Sequence, residues 1–201
     1  MKKEHWQNIY ATKGMQEVSW FQQVPETSLA LIQKVAPNKD AAIIDVGGGD
    51  GFLVDELLKL GYTNITILDI SENAINRAKA RLGDVANKVK WLVSDITKFV
   101  PTEKYDVWHD RAVFHFLTEK KDKEKYKQLV NKNVEGYFVL ATFSDEGPYK
   151  CSGLEICKYS ELDLKNQFND SFTVVESFKM NHKTPFDTTQ NFTFSVFQKR
   201  Y

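Results

Sequence analysis

The strongest chemical signal in the sequence is a glycine-rich stretch, Asp45-Val46-Gly47-Gly48-Gly49-Asp50-Gly51. Glycines lack Cβ atoms, so a ligand can lie directly against the backbone, and positive φ values cost them little. The apolar run Ala41–Val46 predicts a buried strand that ends near Asp45, and Phe52–Leu60 has apolar residues at helical spacing. A turn between a strand and a helix presents the helix amides to a ligand. The stretch therefore predicts a ligand-binding turn, without choosing the ligand.

Two acidic residues follow the next two predicted strands. Asp69, beside Ile70, comes after Ile65–Leu68, where a carboxylate can accept hydrogen bonds from both ribose hydroxyls of a nucleoside. Ser94-Asp95-Ile96 follows Val89–Val93, where the acidic side chain can accept from an adenine amino group and the isoleucine can pack on the ring. The alternative interpretations are a helix-initiating carboxylate for Asp69 and a simple turn cap for the second group.

An NAD or FAD site is the competing interpretation of the glycine-rich stretch. That site requires the pattern G-x-G-x-x-G. Gly47 and Gly49 match it, but Phe52 stands where the third glycine belongs. The spacing instead resembles the G-x-G-x-G loop of class I S-adenosylmethionine (SAM) dependent methyltransferases, and the resemblance runs from about Ala41 to Lys199.

The resemblance implies an enzyme that uses SAM and a seven-stranded sheet whose last strand is antiparallel. It implies that the loop glycines line the amino acid part of SAM, that Asp69 holds the ribose, and that Asp95 and Ile96 hold the adenine. No metal is expected. The residues assigned to cofactor binding are Trp6, Tyr10, Trp20, Asp45, Gly47, Gly48, Gly49, Gly51, Asp69, Ile70, Ser94, Asp95, Ile96 and Asp110.

The N-terminal segment is unusually aromatic, with Trp6, Tyr10, Trp20 and Phe21. These residues either pack a helix on the core or form a lid, since aromatic faces attract a sulfonium cation and exclude water. The order His-Trp-x-x-x-Tyr and then Trp-Phe-Gln resembles the N-terminus of thiopurine methyltransferases and their bacterial relatives. Those proteins carry Asp-Arg-Gly-Ala after the fourth strand, where this chain has Asp110-Arg111-Ala112-Val113. The resemblance implies an aromatic lid and places Arg111 near the sulfonium or the acceptor.

Methyl transfer from a sulfonium is a direct displacement, which needs a general base only if the acceptor arrives protonated. His115 is the preferred candidate, because His109 is expected to point from its strand into packing. Arg111 is the second catalytic candidate, as a group that orients an anionic acceptor or stabilises a thiolate. Its alternative role is an ion pair with Asp110 or another carboxylate.

Strand and helix patterns alternate along most of the chain, and the end differs. Phe172–Met180 and Phe192–Gln198 both alternate strongly, which predicts a hairpin. We therefore predict an α/β fold, a Rossmann-like three-layer sandwich with a mostly parallel seven-stranded sheet and an antiparallel C-terminal hairpin. Residues 1–201 are expected to form a single methyltransferase domain, with 1–38 as an N-terminal helical lid and 39–201 as the core.

The amino-acid composition limits the kinds of partner that the protein is expected to bind. Lys+Arg and Asp+Glu both number 27, which argues against a dedicated nucleic-acid binder. Two cysteines without zinc spacing, no apolar leader and no membrane-length apolar run favour a cytoplasmic protein.

The segment after the fourth strand lacks Asn/Asp-Pro-Pro-Tyr/Phe, which disfavours amino-methylation of adenine or glutamine. A small-molecule acceptor, such as a thiol, selenium or tellurium compound, is the leading expectation. A protein lysine methyltransferase and a non-catalytic SAM-binding protein are the alternatives.

Overall fold

A computed structural model describes residues 3–201, so the first two residues of the expected lid, Met1 and Lys2, lie outside the described part. Two helices come first, and strands and helices then alternate from residue 43 to residue 143, except that no helix separates the third strand from the fourth. The elements are α1 (Lys3–Thr12), α2 (Glu26–Val35), β1 (Ile43–Val46), α3 (Leu53–Lys59), β2 (Ile65–Asp69), α4 (Glu72–Leu82), β3 (Val89–Val93), β4 (Tyr105–Arg111), α5 (Lys120–Asn133), β5 (Val134–Phe143), β6 (Lys150–Cys151), β7 (Leu154–Glu155), α6 (Glu161–Phe168), β8 (Phe172–Lys183) and β9 (Thr189–Lys199).

The main sheet has seven strands in the order β3-β2-β1-β4-β5-β9-β8. The first five pair in parallel, while β9 pairs antiparallel with both β5 and β8. The predicted fold is therefore confirmed, including the antiparallel hairpin at the C-terminus. The strand order reverses between β1 and β4, and in such sheets ligands bind at the carboxyl ends of the strands around that point.

The two faces of the sheet bury different layers. Ile43 and Val107 belong to one core cluster, which α2 and α3 cover, whereas Ile44 and Trp108 belong to the other, which α5 and α6 cover. Side chains alternate between faces along a strand. Asp45 shares the face of Ile43, and the partner of Asp45 in β4 is His109. The sheet register thus places these two polar side chains next to each other.

Three local features differ from or extend the sequence prediction. β4 runs three residues beyond the predicted Tyr105–Trp108, so that Arg111 ends the strand and does not follow it. The helix α6 and the short β6–β7 hairpin were not predicted at all. The predicted N-cap of α4 is confirmed, since the Ser71 hydroxyl accepts from the Ala74 amide. Within residues 3–201 no helix is long and apolar enough to cross a membrane.

Candidate active site

A cleft opens at the carboxyl ends of β1, β2 and β4 and encloses about 1210 Å³, including solvent at its mouth. Most of the residues assigned to the site line it: Trp6, Tyr10, Trp20, Asp45, Gly47, Gly48, Gly51, Asp69, Ile70, Ser94, Ile96 and Arg111. Gly49, Asp95, Asp110 and His115 are not among its described lining residues.

The glycine loop, residues 47–51, has a backbone that other residues would not tolerate. Gly47 and Gly49 have φ values of +71° and +56°. A Cβ at Gly47 would overlap Cγ2 of Val113, and one at Gly48 would lie 2.6 Å from Oδ2 of Asp45. Packing against Val113 and Asp45 therefore requires glycine at these two positions, and Gly47, Gly48 and Gly51 line the cleft.

Two arginines of α4, one turn apart, hold this loop in place. Arg81 donates to the carbonyls of Asp50 and Gly51 at 2.6 and 2.8 Å, and it pairs with Asp55 at 2.7 Å. Arg77 pairs with Asp50 at 3.0 Å. Neither arginine was predicted to belong to the site, although their i, i+4 spacing puts them on one face of a helix.

Asp69 lies at the end of β2 with its carboxylate in the cleft. Its Oδ1 accepts from the Ser71 amide at 2.7 Å, and the Gly49 amide also donates to the carboxylate. Burial, together with the charges of Asp50 and Asp45, raises the pKa of Asp69 to about 7, although the Ser71 and Gly49 amides act to lower it. The carboxylate is therefore held in a fixed orientation beside the glycine loop, with acceptor capacity left for a ligand.

Of the predicted adenine-binding residues Ser94, Asp95 and Ile96, two line the cleft and one lies in the turn after β3. Ser94 and Ile96 line the cleft. Asp95 instead accepts from the Thr97 amide and hydroxyl at 2.9 and 2.8 Å. An apolar wall for a flat ring is thus present, while the carboxylate is engaged in the turn.

Four aromatic side chains, Trp6, Tyr10, Trp20 and Phe116, form an aromatic cluster along the cleft. The Trp6 ring lies 5.2 Å from Phe116, 5.8 Å from Trp20 and 6.4 Å from Tyr10. The cluster is tied to α4, because Arg77 donates to the Tyr10 carbonyl at 3.0 Å. The N-terminal segment therefore lies against the cleft, next to Asp69 and the glycine loop.

His109 faces the cleft, contrary to our expectation that it points into packing. Its Nδ1 lies 2.6 Å from Oδ1 of Asp45, and its Nε2 lies 2.9 Å from the Ser28 hydroxyl. These two contacts fix the orientation of the ring. The Ser28 side chain comes from α2, which the sequence analysis did not connect to the site.

His115, the preferred general base, lies away from the cleft. The turn Phe114–Phe116 directs its ring between the rings of Phe116 and Phe143, at 4.5 and 4.9 Å. Its Nδ1 accepts from the Phe143 amide at 3.3 Å, and burial lowers its pKa to about 3. A ring that resists protonation outside the cleft does not support the predicted proton-transfer role.

Asp110 points to the opposite face of the sheet from Arg111 and His109. Its carboxylate accepts from the Val113 amide at 2.8 Å and from the Tyr126 hydroxyl at 2.5 Å. It therefore fixes the turn after β4, and the alternative of an Arg111–Asp110 ion pair is wrong. Ala112 in this turn has a φ of +73°, in the left-handed region that favours glycine.

The described residues fit SAM. Gly47 and Gly48 leave no room for a Cβ, Asp69 presents a fixed carboxylate that can accept from ribose hydroxyls, Ile96 offers an apolar face, and the aromatic cluster suits a sulfonium. Within residues 3–201 no group of three metal-ligating side chains is present. The fold and the site together define a nucleoside-binding protein of the doubly wound α/β class.

Comparison with known proteins makes the class specific. Residues 43–132 match the family described as "Methyltransferase domain". Human EEF1A lysine methyltransferase 2 is 26% identical over 196 residues, covering 87% of this chain and 75% of the relative. Malonyl-(acyl-carrier protein) O-methyltransferase 2 of Ilyobacter polytropus is 35% identical over 80 residues, covering 39% of this chain and 30% of the relative.

Solved structures agree with the fold. The N-methyltransferase NodS from Bradyrhizobium japonicum WM9, in complex with S-adenosyl-L-homocysteine (SAH), superposes with a TM-score of 0.76 at 15% identity, over 100% of both chains. The protein has the fold of SAM-dependent methyltransferases and is a SAM-dependent methyltransferase, an enzyme whose cofactor is SAM.

Cys151 lies in the cleft wall, and we predict that its thiol is inert in the native protein. Burial raises its pKa to about 12, so almost no thiolate exists at pH 8. In a Cys157→Ala variant, which retains only this thiol, alkylation by iodoacetamide at pH 8 should be more than a hundredfold slower in the native protein than in urea. Equal rates in the two states would contradict the burial of the thiol.

Proposed function

We propose that the enzyme transfers the methyl group to a small-molecule acceptor. The observation that carries the proposal is the aromatic cluster, which encloses the cleft from the side of the N-terminal segment. In this proposal residues 1–201 are a single domain, residues 1–38 act as a lid and residues 39–201 form the core. An enclosed site favours an acceptor that enters whole and excludes water during transfer.

In the proposed reaction, bound SAM supplies an activated methyl group, and the protein supplies alignment. The glycine loop and Asp69 fix the cofactor, and alignment of two reactants alone can contribute ~7–11 kcal/mol. The aromatic cluster favours the cation and keeps water out. Where an acceptor arrives protonated, His109 is the histidine that faces the cleft, held by Asp45.

Thiols and metalloid compounds are the acceptors we propose to test first. The support is the resemblance of Asp110-Arg111-Ala112 to the Asp-Arg-Gly of thiopurine methyltransferases. The backbone supports it further, since Ala112 adopts the positive φ that glycine prefers at that position. Two free cysteines also suit a cytoplasmic location for the enzyme.

A lysine side chain of a protein is the second candidate acceptor. The observation in its favour is the similarity to the human EEF1A lysine methyltransferase 2, which extends over 87% of this chain. A protein substrate requires that a side chain reach the donor through the aromatic cluster or around it.

Transfer of a radiolabelled methyl group from SAM separates the two candidates. The purified enzyme is incubated with a panel of thiols, selenium and tellurium compounds, and in parallel with whole-cell protein. We expect label in small molecules and background levels in protein. Label that appears only on protein would overturn the small-molecule proposal and favour the lysine candidate. An Asp69→Ala variant serves as the control for SAM-dependent labelling in both arms.

A further inference from the structure

Arg111 ends β4 in the wall of the cleft with one nitrogen unused. Its Nη1 donates to the Trp20 carbonyl at 3.3 Å. Its Nη2 is shut off from solvent and has no hydrogen-bond partner among the described residues. A guanidinium remains charged and offers five N–H donors, and a buried charge without a partner is costly. The cleft therefore contains a positive group that the fold itself does not satisfy.

The other two arginines near the cleft each form an ion pair, unlike Arg111. Arg77 pairs with Asp50 at 3.0 Å, and Arg81 pairs with Asp55 at 2.7 Å. Within residues 3–201 Arg111 forms no ion pair. The charge of Asp45 acts on Arg111, but that carboxylate is bonded to His109 at 2.6 Å. An unpaired guanidinium is thus specific to this position in the cleft.

The remaining neighbours of Arg111 are neutral. The Cys151 thiol is kept protonated, because burial raises its pKa to about 12. His182 lies 2.8 Å from the Ser19 carbonyl through Nε2, and burial followed by the charge of Arg111 lowers its pKa. The Phe192 ring lies 5.4 Å from the guanidinium carbon. Cys151 and Phe192 therefore form an apolar part of the cleft wall beside the positive group of Arg111.

The position of Arg111 in the sheet separates it from the residues assigned to the nucleoside. Asp69 and Ile96 come from β2 and from the turn after β3, on one side of the glycine loop. Arg111 comes from β4, and its neighbours Cys151 and Phe192 follow β5 and lie in β9, on the other side. The part of the cleft around Arg111 is therefore the part left for the acceptor.

We propose that Arg111 is the binding site for a carboxylate on the methyl acceptor, so that the substrates are small organic acids. The proposal deepens the proposed function and rests on it. The guanidinium matches a carboxylate with two parallel N–H donors, and the low polarity of the wall strengthens that contact. A carboxylate there would use Nη2 and neutralise the charge.

Binding to the SAH-loaded enzyme tests the proposal. The probes are benzoate, phenylacetate and succinate, each compared by calorimetry with its amide. We expect at least one acid to bind tenfold or more tightly than its amide, since hydrogen bonds to charged groups have this strength. Arg111→Gln should abolish that preference, Arg111→Lys should retain part of it, and the exposed control Arg200→Gln should leave it unchanged. No preference in the wild type, or one that survives Arg111→Gln, would overturn the proposal.

The carboxylate of the cofactor is the other group with the chemistry to bind Arg111. Affinities for SAH and for 5′-methylthioadenosine, which lacks the amino acid, distinguish the two sources. We expect Arg111→Gln to change both affinities less than threefold. A loss of tenfold or more for SAH alone would assign Arg111 to the cofactor and overturn the proposal. These readouts measure binding only, so they fail or succeed independently of whether label appears on small molecules or on protein.

Thermal unfolding without ligands checks that the variants fold and whether the charge is satisfied internally. Removing an unpaired buried charge should leave the Tm of Arg111→Met unchanged or raise it by ~2–4 °C. A fall of more than ~10 °C would show that Arg111 serves the fold, and would overturn the proposal.

Discussion

Replacing Asp69 with alanine should weaken SAH binding at least tenfold. The amides of Gly49 and Ser71 hold the carboxylate in the cleft, where we propose that it accepts from the ribose, and a hydrogen bond to a charged group contributes ~1.5–3 kcal/mol. Calorimetry with SAH measures the loss. The exposed Asp84→Ala, at the end of the same strand–helix unit, is the matched control and should bind normally. An unchanged affinity in Asp69→Ala would contradict the ribose role.

The same carboxylate should make cofactor binding depend on pH. Burial raises its pKa to about 7 in the ligand-free protein, so half of the molecules are protonated near neutrality. Ribose hydroxyls donate to the ionised form, so binding releases a proton and affinity rises with pH. Between pH 6 and pH 8 the ionised fraction increases about tenfold, and the affinity for 5′-methylthioadenosine should follow. This nucleoside avoids titration of the cofactor amino group, and Asp69→Asn should give a flat profile.

Gly47→Ala should destabilise the protein strongly and remove cofactor binding. Two effects add: a φ of +71° costs a residue with a Cβ ~1–2 kcal/mol, and the new Cβ would overlap Cγ2 of Val113. Gly61→Ala is the matched control, because Gly61 has a φ of +85° with no atom within 4 Å of the added Cβ. Denaturant unfolding should show a greater loss of stability for Gly47→Ala than for Gly61→Ala.

A double variant isolates the effect of the overlap between the new Cβ and Val113. Adding Val113→Ala to Gly47→Ala removes the overlap and should recover the excess loss relative to Gly61→Ala, apart from the cost of truncating Val113 itself. Equal stabilities of the two single variants would mean that the loop moves away from Val113 freely, contrary to a preformed ligand surface.

The sequence predicted those elements whose local residue pattern matches the burial that they have in the folded protein. The bounds of β3, Val89–Val93, were predicted correctly, and Ser71 was identified as an N-cap. The predicted end of β4 was Trp108, three residues too early, because the polar residues that follow do not have the pattern of a buried strand. Those residues remain in the strand because distant partners satisfy them, Asp45 for His109 and Tyr126 for Asp110. Such partners cannot be seen in a local window.

The candidate site was predictable to a similar extent. The glycine loop and Asp69 have fixed positions relative to strand ends, so their spacing alone indicated them. Ser28 and His109 meet across 81 positions, which only the packing of α2 on the sheet decides. A signal for α6 was present but overlooked, since Ser160 and Asp163 form a capping box in which each caps the other's backbone.

Ala112, beside Arg111, has a consequence at the level of the gene. Its φ of +73° imposes a cost of ~1–2 kcal/mol that glycine would not bear. Alanine and glycine codons differ at one base, so a single nucleotide substitution is enough to relax this turn. Random mutagenesis reaches Ala112→Gly in one step, and a library selected for heat resistance should recover this substitution early.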